Sequence, residues 1–283
     1  MILSEYRTYF YEQLNALYPQ EERVTFFKAF AEKFLEMQPV QIPISLNKEL
    51  TGAEVAALNE ALLKLKNHEP LQYILGETEF YGFPFKVAPG VLIPRPETEE
   101  LVDWIYQDFK NKSDSISILD IGTGSGAIAV SLAKLIPETS VSAIDISTKA
   151  LTIAKNNAVL NSVEVNWIEQ DILSTTGLEQ SYDVIVSNPP YVRDLEKVEI
   201  QPNVLNYEPH EALFVADDNA LVFYKKIAEL AFQSLKLNGI LYFEINEYLG
   251  NEMLELVKNN GFEKVELRND FAGKPRMLKA KRT

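Results

Sequence analysis

The run Ile116-Ser117-Ile118-Leu119-Asp120 constrains the chain more than any other, because a glycine loop and an apolar run succeed it at once. The loop is Ile121-Gly122-Thr123-Gly124-Ser125-Gly126, and Ala127-Ile128-Ala129-Val130-Ser131-Leu132-Ala133 comes after it, ahead of Pro137. A short β-type run, a glycine loop and an apolar helical run form a strand–loop–helix unit, the context in which a glycine motif holds a nucleotide. A helix after a strand carries the chain back across the sheet, so the next strand pairs in parallel and with a right-handed crossover. Glycines permit tight turns and let a ligand lie against bare backbone. The G-x-G-x-G spacing is tighter than the dinucleotide G-x-G-x-x-G, so the pyrophosphate of a nicotinamide cofactor is not its best fit.

From Pro94 onward the same alternation continues. Pro96 suits the first turn of a helix carrying Leu101, Val102, Trp104, Ile105 and Phe109. Strands are predicted at 116–120, 140–145, 163–168, 183–187, 240–245, 262–267 and 275–280, with helices at 147–160, 219–236 and 250–260. This pattern predicts an α/β fold with a mostly parallel, doubly wound sheet, which binds ligands beyond the carboxyl ends of its strands. The second strand ends at Asp145, where a carboxylate can accept both hydroxyls of a ribose. The competing role for Asp145 is to cap the next helix. The fourth strand, Asp183-Val184-Ile185-Val186-Ser187, stops in Asn188-Pro189-Pro190-Tyr191. Neither proline can donate to a ladder, so the Asn188 side-chain carbonyl and the Pro189 main-chain carbonyl are free to accept. Two adjacent acceptors suit a planar amino group; the plainer alternative is a proline-stiffened turn. Asp171 reads as a contact for an adenine amino group or as a loop turn. Arg95 and Glu97 either shape the mouth of this site or cap the helix at Pro96.

The 283 residues ahead of and around this pattern divide in two. Residues 1–70 read as a small helical domain. Leu3, Tyr6, Phe10 and Leu14 recur at helical spacing, as do Val24, Phe27, Ala31, Phe34 and Leu35. Thr51-Gly52-Ala53-Glu54 is a capping box ahead of Val55, Leu58, Leu62 and Leu65. Residues 71–93 read as a β-hairpin connector, with Gln72–Gly76, Thr78–Gly82 and Phe85–Val87 as short strands. Residues 94–283 form the α/β domain. The absence of cysteine excludes disulfides, thiolate catalysis and cysteine-based zinc sites. His68 and His210 read as solvated loop residues, and no metal is expected. A net charge of −14 argues against a partner that needs broad phosphate neutralisation, so no nucleic acid is expected. The basic residues Arg268, Lys274, Arg276, Lys279, Lys281 and Arg282 read as a solvated terminal strand. No apolar stretch approaches the ~18 residues of a membrane span, and the start of the chain lacks a signal pattern, so a cytoplasmic protein is expected.

The ordered set Arg95-Pro96-Glu97-Thr98-Glu99, DIGTGSG (120–126), Asp145 with Asn156-Asn157-Ala158, VSNPPYV (186–192) and Tyr207-Glu208-Pro209 resembles the bacterial release-factor glutamine methyltransferases. The resemblance covers essentially the whole chain, including Pro70–Gly76. It implies the seven-stranded S-adenosylmethionine-dependent methyltransferase fold behind a helical substrate-recognition domain. It further implies methylation at N5 of the glutamine in the Gly-Gly-Gln loop of class I peptide-chain release factors, by a monomer. Carried over by position, Gly122, Thr123, Gly124, Ser125, Gly126, Asp145, Asp171 and Ile172, bordered by Asn188, would hold S-adenosylmethionine. Asn188, Pro189, Pro190 and Tyr191 would hold the glutamine amide, with Asn188, Pro189 and Tyr191 aligning it for reaction. NPPY is shared with adenine-amino methyltransferases of DNA or RNA, the alternative function. Two positions depart from the family pattern: Ile172 stands where an aromatic residue often covers adenine, and Asn246 stands where Glu-Ile-Gly often ends the late strand.

Overall fold

The computed structural model describes residues 1–112 and 114–283. In chain order the elements are α1 (Leu3–Leu14), α2 (Gln20–Leu35), α3 (Gly52–Lys66), α4 (Leu71–Leu75), β1 (Glu77–Phe80), β2 (Phe83–Lys86), α5 (Pro96–Phe109), β3 (Ser117–Ile121), α6 (Ala127–Leu135), β4 (Ser140–Asp145), α7 (Thr148–Asn161), β5 (Asn166–Glu169) and β6 (Tyr182–Ser187). Then come β7 (Val192–Arg193), α8 (Pro202–Tyr207), α9 (His210–Leu213), β8 (Phe214–Val215), α10 (Val222–Ser234), β9 (Leu235–Glu244), α11 (Gly250–Asn259), β10 (Glu263–Asn269) and β11 (Pro275–Lys281).

Two compact units emerge. One comprises Met1–Gly76 with Pro202–Tyr207 and is wholly helical apart from an isolated bridge between Ile2 and Glu49. Its core joins the apolar stripes of the helical pattern, with Tyr6, Phe10, Phe27, Phe30, Leu58 and Leu62 all at or below 3% exposure. The capping box at α3 is present: Thr51 Oγ1 accepts from Glu54 N at 3.2 Å, and Thr51 N donates to the Glu54 carboxylate at 2.7 Å. Residues 72–76, expected as a strand, are helical up to Leu75. Pro70 supplies the pre-helical turn, Gly76 (φ 72°) closes it, and Leu71, Ile74 and Leu75 pack on the helical core. A short apolar run does not itself choose between helix and strand, and here packing chose.

The second unit, Glu77–Gln201 with Glu208–Thr283, holds the β1–β2 hairpin and a seven-stranded sheet ordered β10-β11-β9-β6-β3-β4-β5. Pairs β3–β4, β4–β5, β3–β6 and β6–β9 are parallel, whereas β11 is antiparallel to both β9 and β10 and so runs alone against the rest. Successive strand residues face opposite sides. Accordingly Ile118, Val184, Val186 and Tyr242 pack under α5, α6 and α7, while Leu119, Ile185, Leu241 and Phe243 pack under α10 and α11. Burial on both faces explains why these strands read as continuous apolar runs. Strand order reverses between β3 and β6, which opens the crevice in which such sheets bind ligands. Register then fixes the residues that border it. Ile121 lies opposite both Ile144 and Ser187, and Ser187 lies opposite Phe243. One residue further on, Gly122, Asp145, Asn188 and Glu244 leave the same edge of the sheet as neighbours.

The boundaries differ from expectation in places: β9 begins at Leu235 rather than 240, and α10 ends at Ser234. His210, expected in a loop, opens the short α9 and sets its ring edge-on to Phe214 at 5.1 Å. The terminal basic residues are largely paired, Arg268 with Glu266, Lys274 with Glu247, Arg276 with Asp270 and Lys279 with Asp108.

Gly126 closes the glycine loop at φ 81°, and a Cβ there would stand 3.0 Å from that of Ala154 and 3.3 Å from Trp167. Gly126→Ala is expected to lower the unfolding free energy by at least about 1–2 kcal/mol from the left-handed backbone alone. Urea unfolding followed by circular dichroism measures the loss.

Candidate active site

The glycine loop is held from behind. The amides of Gly122 and Thr123 both donate to the Ile144 carbonyl, at 2.9 and 3.0 Å, and Gly124 N donates to Asp145 Oδ2 at 2.8 Å. The other Asp145 oxygen accepts from Ser147 N at 2.8 Å. Ser147, not Asp145, caps α7, accepting from Ala150 N at 3.2 Å. Asp145 thus anchors the loop, and each carboxylate oxygen retains acceptor capacity for a ligand hydroxyl. Asn157 secures the loop from the other side. Fully buried, it donates to the Ser125 carbonyl at 2.8 Å and clasps the main chain of Lys86 in the hairpin.

In front of the loop there is room. A Cβ added to Gly122 or Gly124 meets nothing within 4 Å, and Gly122 is exposed at the sheet edge. Beneath it, Asp120 is fully buried. Its Oδ2 accepts from Thr123 Oγ1 at 2.6 Å, and its Oδ1 is left without a hydrogen-bond partner. Burial pushes its pKa up to about 7; the Thr123 hydroxyl opposes this and the charge of Asp145 adds to it. An open backbone cradle, an acceptor carboxylate at its rim and an orphaned oxygen under it fit a ribose-bearing cofactor.

The NPPY residues leave β6 directly alongside. Asn188 is half-buried, Pro189 is buried, and Pro190 and Tyr191 are half-buried. Asn188 Nδ2 donates to Thr98 Oγ1 at 3.3 Å, and Thr98 donates its only hydroxyl proton to Glu244 Oε2 at 2.6 Å. Because that proton is committed to Glu244, the threonine oxygen can only accept from Asn188. The amide NH2 of Asn188 therefore faces Thr98, and its Oδ1 is presented on the opposite side. Tyr191 OH donates to the other Glu244 oxygen at 2.9 Å. Burial raises the pKa of Glu244, opposed by the Thr98 and Tyr191 hydroxyls. Burial, then the Glu244 charge, lifts Tyr191 well above the ordinary phenol value, so it remains a neutral donor.

Thr98 and Glu244 are visible in sequence only as parts of longer motifs; their 146-residue separation hides the partnership. Glu208 is hidden in the same way. It is buried, accepts from Ile93 N at 3.0 Å and pairs with Arg95 at 2.6 Å. Arg95 precedes α5 without capping it through its side chain, and Glu97 lies in the first turn of that helix. Asp171 makes a turn, its Oδ1 accepting from Leu173 N and its carbonyl from the Ser174 and Thr175 hydroxyls. Ile172 is 8% exposed and packs with the core residues under α10.

Residues 5–76 match the family model of the PrmC N-terminal domain, and residues 101–211 match that of the methyltransferase small domain. The chain is 50% identical over 281 residues to a release factor glutamine methyltransferase of Flavobacterium psychrophilum, covering 99% of each chain. It is 43% identical over 275 residues to a release factor glutamine methyltransferase of Bacteroides thetaiotaomicron, covering 97% of this chain and 98% of that one. Among solved structures, a methyltransferase from Pyrococcus furiosus shares the fold with a TM-score of 0.52 at 18% identity, over 82% of this chain and 98% of that chain.

The raised pKa of Asp120 makes stability depend on pH. Its folded-state value of about 7 exceeds the ordinary 3.8. The folded state therefore holds a proton that the unfolded chain loses first, and the stability this contributes is full below 3.8 and gone above the folded value. Between these limits the unfolding free energy of the native protein is expected to fall by up to about 1.4 kcal/mol per pH unit relative to Asp120→Asn. Urea titrations of both proteins between about pH 5 and 8 check the slope.

Proposed function

The chain belongs to the release factor glutamine methyltransferase family, and from that premise we propose that it methylates N5 of the glutamine in the Gly-Gly-Gln loop of class I peptide-chain release factors. The methyl donor is S-adenosylmethionine, and S-adenosylhomocysteine is released. The reaction takes place in the cytoplasm, and the enzyme acts as a monomer, with residues 1–70 gripping the protein substrate, 71–93 serving as connector and 94–283 carrying the chemistry. The observation that carries the reading is the Asn188–Thr98–Glu244 hydrogen-bond chain beside the open glycine loop, which commits the amide NH2 of Asn188 and leaves its Oδ1 to accept.

When bound, S-adenosylmethionine supplies a methyl group already activated on a sulfonium. The residues from Gly122 to Gly126 would line its cradle, Asp145 would take the ribose hydroxyls, and Asp171 and Ile172 would border the adenine. An amide nitrogen is a poor nucleophile because its lone pair is delocalised into the carbonyl, so the protein must supply alignment. Asn188 Oδ1 and the Pro189 carbonyl accept the two N–H bonds of the glutamine amide and fix its nitrogen. The donor would supply its methyl group to the nitrogen held by Asn188 and Pro189, its thioether would leave as S-adenosylhomocysteine, and the amide would release one proton to solvent. The N–H groups become more acidic as the bond forms, so these two hydrogen bonds tighten in the transition state, and that difference accelerates the reaction. Pro190 stiffens the loop, and Tyr191 packs on the flat amide. Glu244 is not the base: both of its oxygens are already engaged by hydroxyls, and it serves as the anchor for Thr98 and Tyr191.

Incubation of the enzyme with S-adenosylmethionine and a class I release factor, followed by mass spectrometry of the Gly-Gly-Gln peptide, is expected to show one added methyl group on glutamine. A parallel incubation with duplex DNA is expected to show none; methylated adenine there with an unmodified release factor would overturn the reading. Asn188→Ala is expected to slow transfer at least about a hundredfold through lost alignment, with S-adenosylmethionine binding by calorimetry kept within a few-fold. Asp145→Ala has the opposite signature: cofactor affinity falls, through loss of the ribose contacts and of the anchor for Gly124.

A further inference from the structure

Asn246, the residue that departs from the family's Glu-Ile-Gly pattern, is 4% exposed and makes three hydrogen bonds through its side chain. Its Nδ2 donates to the main-chain carbonyl of Tyr191 and to Glu196 Oε2, each at 2.9 Å, and its Oδ1 accepts from Tyr248 N at 2.9 Å. Glu196 is itself buried and gripped by Arg193, whose main-chain N and guanidinium donate to it at 2.8, 3.2 and 2.7 Å. The same guanidinium lies 5.6 Å from the Tyr248 ring. A segment that leaves the sheet after NPPY is thereby tied at Tyr191, Arg193 and Glu196 to the end of β9.

Residues two apart on an extended chain project to the same side. Glu244 and Asn246 stand in that relation across Ile245, and each takes a different end of Tyr191. Glu244 accepts its phenol proton, and Asn246 donates to its carbonyl. The phenol hydroxyl and the main-chain carbonyl of Tyr191 are thus both tied to the end of one strand, which limits how far the residue can swing. A glycine at 246 supplies none of these three side-chain hydrogen bonds.

We propose that Asn246 is a positioning residue for methyl transfer, which fixes the Tyr191 ring and the loop through Glu199 so that the substrate amide meets one rigid surface. The inference rests on the reading of Tyr191 as the residue that packs on the glutamine amide. Asn246 touches neither substrate nor cofactor, and its effect is transmitted through Tyr191.

The experiment compares the full-length protein with Asn246→Gly, Asn246→Asp and Asn246→Gln. Hydrogen–deuterium exchange is expected to quicken over residues 191–199 and at Tyr248 in Asn246→Gly, with the amides of residues 122–126 unchanged. Unchanged exchange over 191–199 would overturn the proposal whether or not the native protein methylates a release factor. In steady-state assays on the release factor, kcat of Asn246→Gly is expected to fall about 10–100-fold, the scale of a small misplacement of reacting groups. The KM for S-adenosylmethionine is expected to stay within twofold. Asn246→Gln is expected to recover part of kcat. In Asn246→Asp a carboxylate faces Glu196 and the Tyr191 carbonyl, with Arg193, Glu244, Arg276 and Asp270 as the surrounding charges. Its relative kcat is expected to rise as pH falls, because the protonated acid regains a donor. A kcat equal to the native value in Asn246→Gly, or an equal loss in all three variants at every pH, would show that Asn246 only supports the fold.

Discussion

A single buried carboxylate organises one side of the crevice. Glu244 is almost wholly removed from water, a state that is unfavourable for a charge unless its oxygens are hydrogen-bonded. Two hydroxyls meet that need, Thr98 from the first turn of α5 and Tyr191 from the loop after β6. The requirement runs outward. Because Thr98 must donate inward to Glu244, it can only accept from Asn188, and the Asn188 amide must then direct its oxygen away from Thr98. The orientation of an amide at the surface is thus decided by the desolvation of an acid at the end of β9.

The sheet makes this possible by aligning strand ends that are far apart in sequence. The pairing of Ile121 with Ile144 and Ser187, and of Ser187 with Phe243, brings four segments to one edge with their next residues side by side. Two of those residues, Gly122 and Asp145, belong to the open glycine loop and its anchor, and two, Asn188 and Glu244, to the hydrogen-bonded chain through Thr98. The reversal of strand order between β3 and β6 keeps the crevice free of a covering helix connection. Tight packing on both faces holds the register, since a slip by one residue would exchange the two cores.

The parts of this arrangement that depend on local chemistry are legible in the residues alone. The glycine loop, the acid after the second strand and the asparagine–proline pair each announce themselves by spacing and by the strand in front of them. The capping box at Thr51 and Glu54 and the proline at the start of α5 are legible for the same reason. Long-range partnerships are not: nothing in Pro-Glu-Thr-Glu says that the threonine will find Glu244, or that Glu208 will close on Arg95. Nor do the residues indicate that Ser147 takes the cap for which Asp145 is equally suited. Residues 72–76 defeat a local reading because the five apolar and polar residues 71–75, between Pro70 and Gly76, satisfy both patterns, and only the neighbouring helices break the tie.

The path of the chain also limits how the protein can be divided. After β7 the backbone leaves the sheet-bearing unit, contributes Pro202–Tyr207 to the helical one, where Tyr207 OH donates to the Asn67 carbonyl at 2.7 Å, and returns at Glu208. No single cut therefore separates the two units cleanly. A fragment begun at Glu77 would keep this excursion yet lose the helices that receive it, leaving six residues stranded between the loop beyond the acceptor motif and the glutamate that secures Arg95. The chain thus enters the helical unit twice, and a cut in the linear sequence would part six residues from the helices they fold with.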